Sequence, residues 1–232
     1  MDSSLRAPET TAILMSGGLD SAILFGHLLK QGDRVQPIYI ASGCIWQAAE
    51  QLTLERFLAA TDNHATLPLV ELAVPLADLY GEHWSMTGSN VPDESTADEA
   101  VLLWGRNPLL LVKAMLWCSL HGISRLALAT LRGNPFADAS PQFFQQFASS
   151  LATATRTEVQ ILRPFAEMSK VEVLELGVDM PFQLTFSCLS PQDGLHCGVC
   201  NKCGERAAAL RSMPGGDPTN YAFSNQLSTV TQ

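Results

Sequence analysis

Four of the six cysteines lie within sixteen residues, Cys188, Cys197, Cys200 and Cys203, with the spacing C-x8-C-x2-C-x2-C. Four thiolates complete a tetrahedral shell around Zn²⁺, at a Zn–S distance of about 2.3 Å, and leave no open position for chemistry. His196 lies beside Cys197 and could replace a ligand, although four cysteines already suffice. The spacing therefore favours a structural zinc site, while disulfides and an iron–sulfur cluster stay open as alternatives.

The second group with possible chemistry is the turn "SGGLDS", residues 16–21, which lies between a strand-like and a helix-like run. Glycines permit positive φ and a close approach of the backbone to a ligand. The N-terminus of the following helix would direct N–H groups at an anion, and Ser16 and Ser21 add hydroxyl donors. Neither GxxxxGK[ST] nor GxGxxG is present. From its residues alone, the turn is either an anion site or a simple tight connection.

Strand-like and helix-like patterns alternate along the chain on both sides of this turn. Short apolar runs indicate buried strands, and amphipathic runs bounded by Gly, Pro or Ser indicate helices. The alternation predicts an α/β fold, in which a mostly parallel five-stranded sheet carries helices on both faces. The expected strands are residues 11–15, 34–41, 65–74, 124–131 and 159–165, and the expected helices are residues 21–32, 46–63, 107–122, 140–155 and 169–177.

The chain divides into one large domain and a small appendage. Residues 79–106 interrupt the alternation and are rich in Gly, Ser, Thr, Asp and Glu, and a loop of this length is typical of an active-site lid. The expected units are an α/β domain over residues 8–180, a four-cysteine zinc subdomain over 181–212 and a tail over 213–232.

Composition and charge limit the classes of partner. The chain has 232 residues, 47% of them hydrophobic, which indicates a globular protein with a substantial core. Its net charge is −9 with only 14 Lys and Arg, which counts against tRNA or another nucleic acid as partner. No apolar run reaches about 18 residues and the N-terminus has no signal pattern, so we expect no membrane span and a cytoplasmic protein.

The turn "SGGLDS" resembles the pyrophosphate loop of the PP-loop, or N-type ATP pyrophosphatase, superfamily. With "LTFSC" and "CGVCNKCGERA", and the order of elements between them, residues 13 to about 210 resemble the 7-cyano-7-deazaguanine synthase family of queuosine biosynthesis. The resemblance implies an adenine nucleotide alpha hydrolase-like fold, ATP, Mg²⁺ and a structural Zn²⁺. It also implies a ligase that adenylates a deazapurine carboxylate and then an amide, uses ammonia to form a nitrile, and releases AMP and pyrophosphate.

The resemblance also assigns site residues. "GRN" (105–107) and "MSK" (168–170) resemble family motifs, so Arg106, Asn107 and Lys170 become ATP- or substrate-site candidates; ordinary surface residues at helix N-termini are the alternative. Asp20 and Lys170 are the expected catalytic residues. The Asp20 carboxylate would repel phosphate unless Mg²⁺ lies between them, and Lys170 would stabilise the charge of the leaving group. The expected nucleotide-binding residues are Met15, Ser16, Gly17, Gly18, Leu19, Asp20, Ser21, Arg106 and Asn107.

The chain departs from the family where the acceptor would bind. The family carries a motif close to Asp-Tyr-Gly-Gln-Arg-His after its second strand, and here Ala41, Cys44 and Trp46 stand at the first, fourth and sixth positions. In a later loop, Ser140 and Gln142 replace an arginine and a glutamate. The ATP half of the site therefore looks intact and the acceptor half altered, so that a different small-molecule or tRNA acceptor is the alternative.

Other side chains near the same strand end have two interpretations each. Cys44 could be a catalytic thiol for sulfur transfer, as in PP-loop tRNA thiolases, or a small buried residue. Trp46, Trp84 and Trp104 could stack on a flat base or serve only in packing. The resemblance also implies a possible homodimer, which the sequence itself does not show.

Overall fold

The computed structural model of the chain describes residues 9–223. Its strands are β1 (Thr10–Leu14), β2 (Arg34–Ala41), β3 (Val70–Ala73), β4 (Arg125–Ala127) and β5 (Gln160–Leu162). They form one parallel sheet in the order β3-β2-β1-β4-β5, which confirms the predicted α/β fold. The strand order changes direction between β1 and β4, and ligands of such sheets bind beyond the carboxyl ends of the strands at this point.

Helices cover both faces of the sheet. Within the described residues they are α1 (Leu19–Lys30), α2 (Gln47–Ala60), α3 (Ala77–Tyr80), α4 (Trp84–Thr87), α5 (Arg106–Leu120), α6 (Pro141–Thr155), α7 (Lys170–Leu176) and α8 (Asn201–Arg211). Side chains of α1, α2 and α7 form the core on one face, and side chains of α5 and α6 form the core on the other. Across residues 9–223, no helix has both the length and the apolar character needed to cross a bilayer.

Alternate residues of β2 enter the two cores. Val35 and Tyr39 pack with α1 and α2, whereas Ile38 and Ile40 pack with α5. All four side chains are buried. A parallel sheet covered on both faces needs apolar side chains on both, which explains why the strand reads as the nearly continuous apolar run "VQPIYIA".

The strands β4 and β5 are shorter than the sequence predicts, at 3 residues each. One further backbone hydrogen bond follows them, from the N–H of Leu128 to the carbonyl oxygen of Leu162, at 2.9 Å. The chain then leaves the sheet, and Leu128, Ala129 and Thr130 line a cavity. The apolar run that predicted a long strand is therefore partly strand and partly cavity wall.

The cysteine segment continues into α8, a helix that apolar periodicity did not predict. Arg206 in α8 is only 2% exposed. Its guanidinium donates hydrogen bonds to the carbonyl oxygen of Phe182 and to the hydroxyls of Thr185 and Thr219, at 2.7–2.9 Å. Because a buried charge needs such partners, Arg206 fastens α8 to the chain on both sides of the cysteines.

The predicted tail, residues 213–232, is described only in part, since residues 224–232 lie outside the described residues. In the described part, Met213 is buried and the N–H of Ala222 donates to the carbonyl oxygen of His196 at 2.8 Å. This part of the tail therefore packs against the cysteine segment. The domain boundaries themselves stay predictions.

The long segment 79–106 is fastened at two places. The carbonyl oxygen of Ser85 accepts a hydrogen bond from the N–H of Ile45 at 3.0 Å, which joins α4 to the loop after β2. The N–H of Glu94 donates to the carbonyl oxygen of Val199 at 3.1 Å, which joins the segment to the cysteines. Any movement of this segment as a lid would have to break these contacts.

Ser140 and Gln142 do not occupy the acceptor-side positions that the resemblance led us to expect. Ser140 is the N-cap of α6, where its Oγ accepts a hydrogen bond from the N–H of Phe143 at 3.2 Å, with Pro141 at the helix start. Gln142 is exposed. Neither is among the described residues that line the cavity. Ser140 therefore stabilises the start of α6.

Replacing Ser140 by alanine should lower the free energy of unfolding by about 1 kcal/mol, because the first turn of α6 loses its cap acceptor. Urea unfolding followed by circular dichroism measures the loss. Ser150→Ala, on the exposed surface of the same helix, is the matched control. It should not lower the free energy of unfolding, because alanine favours helix more than serine does. Equal losses in the two variants would contradict the capping role.

Candidate active site

A cavity of about 440 Å³ lies at the carboxyl ends of β1 and β2, beside the start of α5. Of the predicted site residues, its lining includes Met15, Ser16, Gly18, Leu19, Asp20, Ser21, Arg106, Asn107, Lys170 and Cys188. Gly17, Cys197, Cys200 and Cys203 are not among the described residues that line it. The fold thus gathers into one space residues that are distant in the chain, such as Asp20 and Lys170, which are 150 positions apart.

The glycine loop is held by hydrogen bonds among its own residues. Gly17 has a φ of +77°, in the left-handed region that favours glycine. Gly18 is the extended N-cap of α1, and its N–H donates to Ser16 Oγ at 3.4 Å. Ser21 Oγ donates to the Gly18 carbonyl oxygen at 3.0 Å. Gly17 thus turns the chain from β1 into α1, while the residues on either side of it face the cavity.

Four charged side chains of alternating sign run along the cavity wall beside this loop. Lys170 Nζ donates to both carboxylate oxygens of Asp20, at 2.8 and 2.9 Å, and lies 3.7 Å from Glu205 Oε1. Lys202 Nζ donates to Glu205 Oε2 at 2.6 Å. Burial would raise the pKa of Glu205, but Lys202 and Lys170 together outweigh it and lower that pKa. Lys170 therefore neutralises Asp20, and this contact reduces the repulsion between Asp20 and a phosphate even without Mg²⁺.

Sequence reasoning missed Lys202 and Glu205. Both stand in "CNKCGER", where the sequence pattern singled out only the cysteines as site residues. The signal in the sequence was the position of these charged residues, between and just after closely spaced cysteines. A metal bound by the cysteines would fix the backbone that carries both side chains.

A second polar group in the cavity contains Tyr39, Glu50 and Arg106. Tyr39 Oη donates to Glu50 Oε2 at 2.8 Å. Burial raises the pKa of Glu50 to about 7, although nearby Arg106 and the bond from Tyr39 both lower it. The buried Nε of Arg106 has no hydrogen-bond partner within residues 9–223. Tyr39 and Glu50 were also missed, because a tyrosine in an apolar strand and a glutamate in a helix look ordinary in sequence.

Aromatic side chains form another part of the wall. Trp46 and Trp84 stack with ring centroids 5.8 Å apart and an interplanar angle of 30°, and both line the cavity. Trp104, the third predicted stacking residue, is 77% exposed and is not among the described lining residues. The cavity therefore has a flat apolar surface suited to a planar ring.

Cys44 belongs to the same hydrophobic cluster as Trp46 and Trp84. It is buried and, like Ala41, is not among the described residues that line the cavity. Its Sγ accepts a hydrogen bond from Ser42 Oγ at 3.3 Å. Burial raises the pKa of the thiol, so the group is protonated at neutral pH and is a poor nucleophile. These features favour packing over sulfur transfer for Cys44.

The four clustered cysteines meet in space as their spacing predicts. Their Sγ atoms all lie within 4.8 Å of one another and all four residues are buried. Cys188 is 3.9 Å from Cys200, and Cys197 is 3.9 Å from Cys203, between Sγ atoms. Such a cluster can hold a metal ion.

Backbone N–H groups surround the sulfurs. The N–H groups of Cys197 and Ser190 donate to Cys188 Sγ at 3.2 and 3.3 Å, and the N–H of Leu189 donates to Cys200 Sγ at 3.4 Å. Hydrogen bonds of this kind orient thiolate ligands and stabilise their charge. His196 is not part of the cluster, since its Nε2 accepts from the N–H of Ser187 at 3.2 Å.

Comparisons with known proteins agree with this architecture. A 7-cyano-7-deazaguanine synthase of Desulfotalea psychrophila is 29% identical over 216 residues, which cover 90% of this chain and 97% of that protein. One from Methanoculleus marisnigri is 28% identical over 219 residues, with 90% and 96% covered. A crystal structure of a 4-thiouridine synthetase–RNA complex with bound ATP has a similar fold, with a TM-score of 0.50 at 18% identity, covering 79% of this chain and 46% of that one.

A sequence model of the family described as queuosine biosynthesis protein QueC matches residues 10–214. The match includes the glycine loop, the motifs at the starts of α5 and α7, and all four clustered cysteines. The chain therefore belongs to the QueC family.

Proposed function

We propose that the chain is an ATP-dependent ligase that converts the carboxylate of a deazapurine into a nitrile with ammonia, releasing AMP and pyrophosphate. The observation that carries the proposal is the shared cavity, in which the "SGGLDS" loop and its lysines adjoin a second polar group with aromatic walls. An adenylating enzyme needs such an arrangement, because the nucleotide and its acceptor must meet in one protected space. The names of the relatives supply the identity of the acceptor.

ATP would place its phosphates at the loop and the start of α1. Met15, Ser16, Gly17, Gly18, Leu19 and Ser21 form this turn, and the N-terminus of α1 favours negative charge. Lys170 and Lys202 supply cations beside it. The carboxylates of Asp20 and Glu205 are hard oxygen ligands of the type that Mg²⁺ prefers, and Mg²⁺ held there would neutralise phosphate charge and polarise the phosphorus.

The chain's part in the reaction is positioning and charge stabilisation. The acceptor carboxylate attacks the α-phosphorus of ATP, and Lys170 and Lys202 stabilise the negative charge that develops on pyrophosphate. Ammonia then displaces AMP from the acyl adenylate to give the amide. A second ATP adenylates the amide oxygen, and loss of AMP gives the nitrile. No protein nucleophile is needed, and the apolar walls keep water from the acyl adenylate.

A single Zn²⁺ fits the four-cysteine cluster better than an iron–sulfur cluster. A tetrahedron with Zn–S distances of about 2.3 Å has sulfur–sulfur edges of about 3.8 Å, close to the two separations of 3.9 Å. An iron–sulfur cluster shares its cysteines among several irons, which sets their sulfurs further apart. With all four positions filled by thiolates, the ion's role is structural.

Purified protein should convert 7-carboxy-7-deazaguanine to the nitrile when ATP, Mg²⁺ and ammonium are supplied. Pyrophosphate release and product mass are the two measurements. Asp20→Asn and Lys170→Met should each slow the reaction by on the order of 100-fold or more, because the first removes a carboxylate that would hold Mg²⁺ and the second removes a cation from the phosphate site. Asp179→Ala, an exposed carboxylate that pairs with exposed Lys30, is the control and should be fully active. Pyrophosphate release that requires a different carboxylate would show a changed acceptor, and no release with any acceptor would reject the ligase.

Elemental analysis of the purified protein should find one zinc per chain. Cys200→Ser should lose the metal and unfold at a lower temperature, because the shell loses one of its four ligands. Cys44→Ser, a buried cysteine outside the cluster, should retain the metal. Iron with acid-labile sulfide in place of zinc would show that the site holds an iron–sulfur cluster.

Cys44→Ser should also leave nitrile formation unchanged, because the buried, protonated thiol takes no part in the chemistry. The same assay of pyrophosphate and product mass measures this. Loss of activity, together with sulfur transfer by the unmodified chain, would instead support the alternative of a thiolating enzyme.

A further inference from the structure

Glu50 is an unusual cavity residue, because its carboxyl group is almost fully buried. Its residue exposure is 8%, and it stands in the first turn of α2 with Trp46 one turn before it. Tyr39 Oη donates to Oε2 and so fixes the orientation of the carboxyl group. A carboxylate has about four lone-pair positions, and one bond from tyrosine leaves most of them for a ligand. Burying such a group without donors is costly.

Arg106 contributes the complementary half of this group. It lines the same cavity and has a buried Nε without a partner among the described residues. Burial raises the pKa of Glu50 and of Tyr39, and the nearby charge of Arg106 opposes both rises. An unpaired buried donor beside a buried acceptor indicates a ligand that carries both kinds of group.

We infer that Glu50 and Arg106 together recognise the hydrogen-bonding edge of the acceptor base, with Tyr39 as the residue that positions Glu50. The ligand class is a planar heterocycle that presents, side by side, a ring carbonyl oxygen, a ring N–H and an exocyclic amino group. Arg106 donates to the carbonyl oxygen, and the Glu50 carboxylate accepts from the two nitrogens. This inference rests on the proposed function and assigns its acceptor specificity to two residues.

The surroundings of the pair agree with this class of ligand. Trp46 and Trp84 supply a flat wall on the same cavity. At residues 41–46 the chain lacks the aspartate and arginine of the family motif. Glu50 from α2 and Arg106 from α5 supply one acidic and one basic group to the cavity, and these two groups can pair with a guanine-type edge.

Adenine, the base of the proposed ATP, is the other flat ring that this cavity would have to hold. It presents an amino group beside a ring-nitrogen acceptor, which the same two side chains could also bind. Leu110, Leu128 and Phe136 form an apolar part of the cavity that suits adenine without such polar partners. The experiment therefore has to separate effects on the acceptor from effects on ATP.

The test compares two acceptor bases by isothermal titration calorimetry: 7-carboxy-7-deazaguanine, and the analogue with hydrogen in place of the amino group. The unmodified chain should bind 7-carboxy-7-deazaguanine, the amino base, about tenfold or more tightly than the analogue. Without the amino group, the buried carboxylate of Glu50 lacks one hydrogen-bond donor. Glu50→Gln should lower the affinity for the amino base by a similar factor and abolish the preference, while the affinity for ATP stays unchanged. Glu55→Gln, exposed on the same helix, is the control and should bind like the unmodified chain.

Two further variants separate recognition from folding. Arg106→Lys should lower the affinity for both bases by the same factor, because both carry the ring carbonyl oxygen to which Arg106 donates. Tyr39→Phe leaves the carboxyl group in place and should reduce the preference only in part. Thermal unfolding of every variant checks that the fold is kept.

The possible results distinguish the recognition site from the proposed reaction. Equal binding of the two bases by the unmodified chain, a preference that survives Glu50→Gln, or a loss of ATP affinity in place of acceptor affinity would each overturn the inference. A preference that Glu50→Gln abolishes, without any nitrile formed, would support the recognition site and reject the proposed reaction. Nitrile formation with unaltered discrimination in Glu50→Gln would reject the recognition site alone.

Discussion

The contact between the glycine loop and the cysteine segment is the constraint on which the cavity depends. The N–H of Phe186 donates to the carbonyl oxygen of Gly17 at 2.8 Å, two residues before Cys188 begins the cluster. Gly17 can present this carbonyl because its φ is +77°, a conformation that a residue with a side chain adopts only at a cost. The serines of this turn line the cavity, whereas the Gly17 carbonyl oxygen contacts the cysteine segment. The turn therefore joins β1, the first element of the fold, to the segment that leads into α8, the last described helix.

Paired charges explain how an acidic chain keeps cations at this place. The net charge is −9, yet Lys170 and Lys202 both line the cavity, each against a carboxylate. Both ammonium groups are partly buried, with side-chain exposures of 24% for Lys170 and 31% for Lys202, and Asp20 and Glu205 offset the cost of that partial burial. A phosphate can take the place of a carboxylate beside each lysine. Bulk charge therefore argues against extended nucleic acid but says little about a small anion inside the cavity.

Local patterns predicted most of the fold, and contacts between distant residues decided the rest. The bounds of β2 match the apolar run at 34–41, and the spacing of the cysteines predicted their meeting. The pair of Tyr39 and Glu50 was not predicted, because it forms only when α2 is packed against the sheet. Ser140 was assigned to the acceptor site by resemblance, whereas its position before Pro141 makes it a helix cap. Sequence thus indicates which elements form, and tertiary packing selects the polar side chains that share a cavity.

The cysteine segment joins a cluster that can hold a metal ion to the wall of the cavity. Lys202 stands between Cys200 and Cys203, and Glu205 follows within the same helix, α8. An ion that holds these two sulfurs also holds the backbone between them, and so fixes the direction in which Lys202 leaves the helix. Lys202 in turn binds Glu205, which contacts Lys170 near the glycine loop. The charge on this wall of the cavity is therefore set partly by the cysteine cluster, whose ion would touch no substrate.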